Sequence, residues 1–207
     1  MTPLRTTVLI ACLIALPAFR AAADERVKAR VEVGESTITL ITGTTRRLVS
    51  GSLSDTLRHF AGREVEVELS STNAVTRVVS PARTELRGSI DQGTFGERDG
   101  RRIKLFGPAA SLVPAGRVCV LDAWVFESEA CVVAVEGRTT GAWNLVHMFS
   151  TWRSPVDVIR GRRPVWVSER SDGRVRVQRG DTAGWVDEAS VTLGEVPAHG
   201  LVDAIPR

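Results

Sequence analysis

The residue types best suited to recognition lie near the carboxyl end of the chain, where arginines surround two tryptophans. Guanidinium groups form paired hydrogen bonds with carboxylates and phosphates, and cations stack on indole rings. This chemistry suits a carboxylate-bearing glycan, a peptide or an anionic lipid surface. The competing interpretation is that both tryptophans pack in a core while the arginines alternate outward. The candidate ligand-binding residues are Trp166, Trp185, Arg162, Arg163, Arg174 and Arg176.

Cys119 and Cys131 are the candidate disulfide pair. They remain as an even pair if Cys12 is removed with a leader segment, and an oxidising compartment favours their oxidation. Their spacing matches neither a C-x-x-C redox motif nor a zinc cluster. The alternative is a pair of buried free thiols acting as small hydrophobes. The sequence leaves both open, because it does not give the strand register.

No residue pattern in the chain indicates catalysis or metal binding. The three histidines are widely separated: His59, His147 and His199. The sequence contains no zinc-ligand spacing, no nucleophile elbow and no phosphate-binding loop. Three acids alternate along a predicted strand and should share its solvent face: Glu64, Glu66 and Glu68. We therefore predict a protein without a catalytic site, a metal or a cofactor.

The first 23 residues have the features of a signal peptide. Arg5 supplies a positive charge, an apolar run extends from Val8 to Phe19, and three alanines ending at Ala23 form a cleavage site. The run is too short to cross a bilayer comfortably. We expect cleavage before Asp24, a periplasmic or secreted product, and no transmembrane segment after removal of residues 1–23. A lipid anchor at Cys12 is the alternative to signal-peptidase cleavage.

Charge argues against nucleic acid as the partner. The whole chain carries a net charge of +3, but the predicted leader supplies two arginines and no acid. Residues 24–137 hold 15 basic and 16 acidic residues and few aromatic ones, whereas proteins that bind single strands use a basic groove with stacking platforms. Residues 138–207 are mildly basic, with ten basic and eight acidic residues.

Period-two alternation predicts strands through most of the chain, and their order repeats. The segment from Ala115 to Gly137 reads as two apolar strands around a charged turn, like the earlier segment from Ala61 to Pro81. One helix is predicted between the third and fourth strands, with Ser52 and Asp55 as a capping box. Two prolines restrict the equivalent position of the second copy, residues 108–114, to a turn or a single helical loop.

The predicted fold class is all-β, with two duplicated five-stranded units at residues 24–82 and 83–137. Five strands with a helix after the third resemble the OB-fold, a small and partly open barrel. The resemblance rests on element order and spacing, with a period near 55 residues. Two lipocalin-like halves or one continuous sandwich would give similar strand counts.

Residues 138–155 form a connector that is too apolar for a solvated linker. Ala142, Leu145, Val146, Phe149 and Trp152 would share one face of a short helix. We therefore predict a helical aromatic connector that packs on one of the barrels.

Residues 156–193 resemble the later half of the bacterial SH3-like barrel. The resemblance is carried by a hairpin turn at Asp172 and Gly173, by the alternating Val175 and Val177, and by Gly-Trp-Val ending at Val186. The first strand and first loop of that family are not recognisable. The resemblance implies a ligand-binding barrel, and residues 194–207 are predicted to be a loose tail.

These observations predict an exported, non-catalytic binding or scaffolding protein of the cell envelope. Its SH3-like part implies peptidoglycan peptides or an envelope protein as partner. The alternative is an interaction or inhibitor subunit that adds a strand to a partner's sheet. A cell-wall hydrolase would need a nucleophile or metal site that the sequence does not reveal.

Overall fold

The computed structural model describes residues 24–97, 99–151 and 153–195. The predicted signal peptide with Cys12, together with Arg98, Trp152 and residues 196–207, lies outside the described residues. Within them the chain forms sixteen strands, one short α-helix and two 3-10 helices. The predicted all-β class is confirmed. Alternation explains the strands, since β1 (Glu25–Val33) turns Val27, Ala29 and Val31 inward and its charged residues outward.

The first sheet has five strands. They are β1, β2 (Ile38–Thr42), β3 (Thr45–Val49), β4 (Glu64–Leu69) and β5 (Val75–Ser80), with the helix α1 (Ser54–Arg58) between β3 and β4. Their order in the sheet is β3-β2-β1-β4-β5. A parallel bridge between Ser50 and Ala74 joins the two ends. We call this closed unit the first barrel.

Helix α1 forms where a helix was predicted, between the third and fourth strands, but without the predicted cap. Leu57 and Phe60 are fully buried. The N-cap position is Leu53, without a side-chain cap hydrogen bond, and Ser54 instead donates its hydroxyl to the carbonyl of Gly51. The capping box is therefore wrong. A five-residue helix held by buried side chains is stabilised by packing and does not need one.

The second unit repeats the connectivity of the first. It comprises β6 (Ala82–Asp91), β7 (Thr94–Glu97), β8 (Arg102–Phe106), a 3-10 helix at Ala110–Leu112, β9 (Val118–Val125) and β10 (Glu129–Thr139). Strand β6 pairs with β7 and β9, while β10 pairs with β9 and runs parallel to β8. These pairings close a ring, the second barrel. Of the two structures predicted between the prolines, a turn or a single helical loop, the chain forms the second, as a 3-10 helix.

Strand β10 extends out of the second barrel into the last unit. That unit contains β11 (Trp143–His147), β12 (Pro155–Arg160), β13 (Pro164–Ser171), β14 (Arg174–Arg179), β15 (Thr182–Asp187), a 3-10 helix at Glu188–Ser190 and β16 (Val191–Leu193). The end of β10 pairs with both β13 and β16. The second sheet therefore runs from β6 to β16, across the predicted boundary at Gly137.

Gly137 lies where β13 and β16 flank β10. A Cβ atom at this position would lie 2.9 Å from the side chain of Val191 and 3.0 Å from that of Leu193. These contacts are too close for a real Cβ atom, so a side chain at this position would force the Val191 and Leu193 side chains to shift. The glycine lets one strand serve the second barrel and the last unit together.

The predicted connector helix is wrong, because residues 143–147 form strand β11. Asn144 and Val146 are buried while Trp143 and Leu145 are exposed, which is period-two alternation. Strand β11 forms a hairpin with β12, in which Trp143 faces Arg160 and Leu145 faces Val158. Backbone pairing with β12 outweighs the partial helical pattern of the apolar residues.

Two hydrophobic cores connect the three units. The first barrel's core also contains Trp124 and Cys131 of the second barrel. The other core runs continuously from the second barrel into the last unit. Phe60 makes edge contacts with Trp124 and Phe126, at ring-centre distances of 5.8 and 5.5 Å. Aromatic burial therefore holds the two barrels together.

Candidate functional site

The structure places the two candidate tryptophans on one sheet face but does not leave both exposed. Trp185 on β15 pairs with Arg176 on β14, and Trp166 on β13 pairs with Gln178 on β14. Only 9% of Trp185 is exposed, and Trp166 is half-buried. An indole that is buried to this extent packs against its neighbours and offers little surface for stacking a ligand.

The four candidate arginines separate into two kinds. Arg162 and Arg163 are exposed in the turn before β13. Arg174 is half-buried and donates to the carbonyl of Ser150 at 3.0 Å and to the Asp187 carboxylate at 3.3 Å. The Arg176 guanidinium lies 3.9 Å from a carboxylate oxygen of Glu169.

Arg174 and Arg176 therefore have acidic partners within the sheet. The six predicted residues do not converge on one open binding site.

The structure does not contain the candidate disulfide, since Cys119 and Cys131 are buried free thiols. Cys131 pairs with Trp124, which lies five residues along β9 from Cys119. That separation is about 16 Å along a strand, whereas disulfide-bonded Cα atoms lie within about 7 Å. The strand register sends the two thiols into different cores.

The three alternating glutamates of β4 are occupied by ion pairs. Lys28 lies beside Glu64, Arg26 beside Glu66, and Arg77 beside Glu68: three rows of opposite charge along the barrel exterior. The hydrogen bond from Arg26 lowers the pKa of the Glu66 carboxyl. This face is therefore a neutralised solvent surface.

His147 is a buried polar residue in β11, with 4% of its surface exposed. Its Nδ1 atom has no hydrogen-bond partner among the described residues. The backbone of Gly184 on β15 passes close by, since a Cβ there would lie 2.6 Å from the carbonyl oxygen of His147. Gly184 thereby lets the hairpin pack directly on β15.

The most distinctive surface of the described chain is an apolar one on the β11–β12 hairpin. Its large side chains are exposed by about half or more: Trp143 63%, Leu145 49%, Met148 52%, Phe149 55% and Val156 53%. We call these five residues the hairpin face. Clustered exposed apolar residues mark sites of protein or membrane interaction more often than scattered ones do.

A polar anchor on the opposite side holds the hairpin in place. Asn144 is buried, and its amide donates to the carbonyl of Ile159 at 2.8 Å and to that of Gly141 at 3.1 Å. Its side-chain oxygen accepts a hydrogen bond from the Gly141 backbone. With Val146 and Ile159 also buried, alternation forces the neighbouring Trp143 and Leu145 outward.

Unpaired positive charge surrounds the hairpin face. Four arginines on the hairpin and in the turn after it are exposed and have no ion pair with any described acid: Arg153, Arg160, Arg162 and Arg163. Most arginines elsewhere in the described chain have an acidic partner. The Arg160 guanidinium lies 4.9 Å from the centre of the Trp143 ring. Asp157 is the single acid in residues 138–163.

Two of the cavities among the described residues lie away from the hairpin face. The larger, of about 480 Å³, is lined by the loop after the 3-10 helix of the second barrel and by the last unit, and it contains Arg117, Arg170 and Glu188. The smaller, of about 180 Å³, lies beside Arg87, Glu136 and Arg138. Arg170 and Glu188 already form an ion pair at 2.8 Å. The hairpin face lines neither cavity and is an open surface.

The described ranges contain no helix that is both long and apolar enough to span a bilayer. Within the same ranges, the side chains of His, Cys, Asp and Glu nowhere gather in threes as potential metal ligands.

Comparison with known proteins leaves the assignment to the structure itself. No protein-family model matches the chain, and neither the curated proteins nor the solved structures contain a match.

Proposed function

We propose that this chain is an exported, non-catalytic binding and scaffolding module of the cell envelope, and that it binds through the hairpin face. One observation carries the proposal: five exposed apolar side chains lie on a hairpin that also carries, with the turn after it, four arginines without acidic partners. Solvent-exposed apolar area is unfavourable, so a surface of this kind favours a partner that covers it.

Strand connectivity supports two OB-like barrels as the scaffold. In each of the first two units, the first strand pairs with the second and fourth, and a helical turn separates the third from the fourth. A parallel contact closes each ring. This arrangement agrees with the OB-fold resemblance of the sequence.

The last unit supports an SH3-like interpretation in which β10 serves as the first strand. Strands β13, β14 and β15 form a meander, a 3-10 helix follows, and β16 returns to pair with β10. The β11–β12 hairpin then occupies the position of the long first loop. The sequence did not reveal this arrangement, because the first strand lies inside the preceding unit.

Burial moves the proposed recognition surface away from the tryptophans first considered. Trp185 is nearly buried, and Arg174 and Arg176 have acidic neighbours. Arg162 and Arg163 remain in the proposal, because they border the hairpin face. The proposal keeps peptidoglycan peptides and an envelope protein as the partner classes of this surface and assigns no catalytic role.

Strand addition is the second candidate mode of binding. Strand β12 lies at the end of the described sheet and pairs only with β11. An open strand edge is a template for a partner's strand. This mode fits an interaction or inhibitor subunit, and it uses the same hairpin.

Oxidative footprinting tests whether the hairpin face is covered in the envelope. The chain from Asp24 onward would be mixed with an isolated envelope fraction or with purified peptidoglycan, and oxidation of Trp143 and Met148 would be measured by mass spectrometry. We expect both residues to be protected in the envelope fraction. Unchanged oxidation of both in every mixture would overturn the proposal.

A matched pair of variants gives the control. Leu145→Ser should weaken retention by the envelope fraction about tenfold. The partner would bury the exposed half of the leucine side chain, and serine loses the transfer free energy of that apolar area. Leu48→Ser removes another exposed leucine (61%) on the first barrel and should leave retention unchanged.

A further inference from the structure

We infer that the hairpin face binds the surface of an anionic phospholipid bilayer. The inference rests on the proposed function and names the partner of that same surface. It follows from three features of the described hairpin: its position, its charge and its shape.

Position makes the hairpin accessible to a flat surface. Strand β12 is the last strand of the larger sheet, with β11 as its neighbour. Met148 and Phe149 lie between these strands, in the tip of the hairpin. Trp143 lies at the other end of β11. Tryptophan, phenylalanine and methionine are side chains that enter the headgroup region of a bilayer, and tryptophan is enriched there.

Charge distinguishes this surface from the rest of the molecule. The four unpaired arginines lie at both ends of the hairpin, with Arg153 in the tip and Arg160, Arg162 and Arg163 at the other end. The single acid of the segment is Asp157, whose carboxylate accepts hydrogen bonds from the Thr182 hydroxyl at 3.0 Å and from a backbone amide at 2.7 Å and keeps its negative charge. The carboxylate of Asp172 also lies at the tip, where it accepts a hydrogen bond from Ser150 at 3.0 Å. Residues 143–163 hold four arginines and one acid, so the hairpin carries a net positive charge.

Arginine is well suited to lipid phosphate. Its guanidinium binds phosphate oxygens in pairs, and each basic residue near an anionic membrane contributes about 1 kcal/mol.

Shape favours a bilayer over an acidic peptide. The hairpin face lines neither of the two cavities described above, and its exposed side chains suit a flat partner that can cover all of them at once. A six-residue strand spans about 20 Å, and a peptide would need acids at both ends with apolar residues between. A bilayer surface supplies phosphates at every position and an apolar layer beneath them.

Vesicle co-sedimentation tests the inference. The chain from Asp24 onward contains both described sheets and lacks the apolar run Val8–Phe19, which would itself enter lipid. We expect it to bind vesicles of mixed phosphatidylcholine and phosphatidylglycerol. Binding should be at least about tenfold weaker to pure phosphatidylcholine, and high salt should weaken it to a similar extent.

Two sets of variants separate the apolar contribution to vesicle binding from the electrostatic one. Trp143→Ser with Met148→Ser should reduce binding to the mixed vesicles about tenfold or more, through the apolar contribution. The triple variant Arg160→Gln, Arg162→Gln, Arg163→Gln should reduce it about a hundredfold. Leu48→Ser and Lys104→Gln alter an exposed leucine and an exposed lysine on the first and second barrels, and binding should be retained. Equal thermal midpoints would show that each variant is folded.

Three outcomes would overturn the lipid assignment: no binding to either vesicle, equal binding to both, or full binding by the hairpin variants. Footprinting of Trp143 and Met148 tests the proposed function separately from the lipid assignment. If Trp143 and Met148 are protected by the envelope fraction or by peptidoglycan but not by vesicles, the hairpin face binds a protein or the cell wall and only the lipid assignment is wrong. If they are protected by none of these, both proposals are wrong.

Discussion

At the scale of single residues, the two thiols are defined by their burial. Cys119 and Cys131 have at most 1% of their surface exposed. Burial is the main cause that raises the pKa of each thiol from 9.0 to about 11, and the nearby charge of Arg117 or Arg63 offsets it only in part. A thiol that stays protonated in a core is a poor nucleophile. We therefore interpret both cysteines as packing residues.

This burial predicts a loss of stability at alkaline pH. Between about pH 9 and pH 11 the unfolded chain releases thiol protons that the folded chain keeps, so the free energy of unfolding should fall as pH rises. Urea unfolding across this range measures the slope. The chain has no tyrosine and two lysines, which reduces competing titrations.

The double variant Cys119→Ala, Cys131→Ala provides the control. Its free energy of unfolding should be lower at neutral pH, because methyl-sized cavities remain, but its slope between pH 9 and pH 11 should be shallower. The same slope in both proteins would contradict the thiol assignment. A thermal midpoint that falls on reduction would instead indicate a disulfide.

At the scale of elements, a cation joins the first two barrels. Arg63, which precedes β4, forms a hydrogen bond of 2.7 Å with the carboxylate of Glu129 at the start of β10. The Arg63 guanidinium also lies 3.6 Å from the centre of the Phe106 ring. Both charged side chains are less than a third exposed. A partly buried, doubly supported ion pair is worth more than an exposed one.

We predict a coupling energy of about 1–2 kcal/mol between Arg63 and Glu129 in a double-mutant cycle with alanine. Chemical denaturation of the two single variants and the double variant would measure it. The matched control is Lys28 with Glu64, whose side chains are 72% and 71% exposed. There the coupling should be below about 0.5 kcal/mol. Equal couplings would show that burial adds nothing to the inter-barrel pair.

Across the whole molecule, shared strands and shared cores should make the three units unfold together. Strand β10 completes the second barrel and also carries β13 and β16. One core crosses from the first barrel to the second, and the other crosses from the second into the last unit. Strands and cores that are shared between units favour one cooperative unfolding transition over the independent unfolding of separate domains.

We predict one cooperative thermal transition for the chain from Asp24 onward. Truncation after Arg138 should lower the free energy of unfolding by about 2 kcal/mol or more, because fully buried Val135 loses the strand it faces, β13. Calorimetry of both proteins would test this. Two separate transitions in the longer protein, or an unchanged midpoint in the shorter one, would contradict it. Point variants of the hairpin are therefore better probes of binding than truncation.

The amino-acid sequence by itself determined where most strands lie and that the class is all-β. Alternation in segments such as residues 27–33 is a local property, since one face of each strand must be apolar to be buried. The turn between Pro108 and Pro114 could also be predicted from local sequence, because proline restricts its own backbone conformation. The repeated order of elements was also legible, and the structure has the same connectivity in both units.

Only the tertiary structure decided what depends on which strands become neighbours. Register placed Cys119 and Cys131 in different cores. Pairing with β12 made residues 143–147 a strand, although their apolar residues also fit a helix. Whether an apolar side chain is buried depends on which distant segments cover it. Trp185 is therefore buried while Trp143 is exposed. The recognition surface proposed here is therefore a product of packing between distant segments, which no local pattern contains.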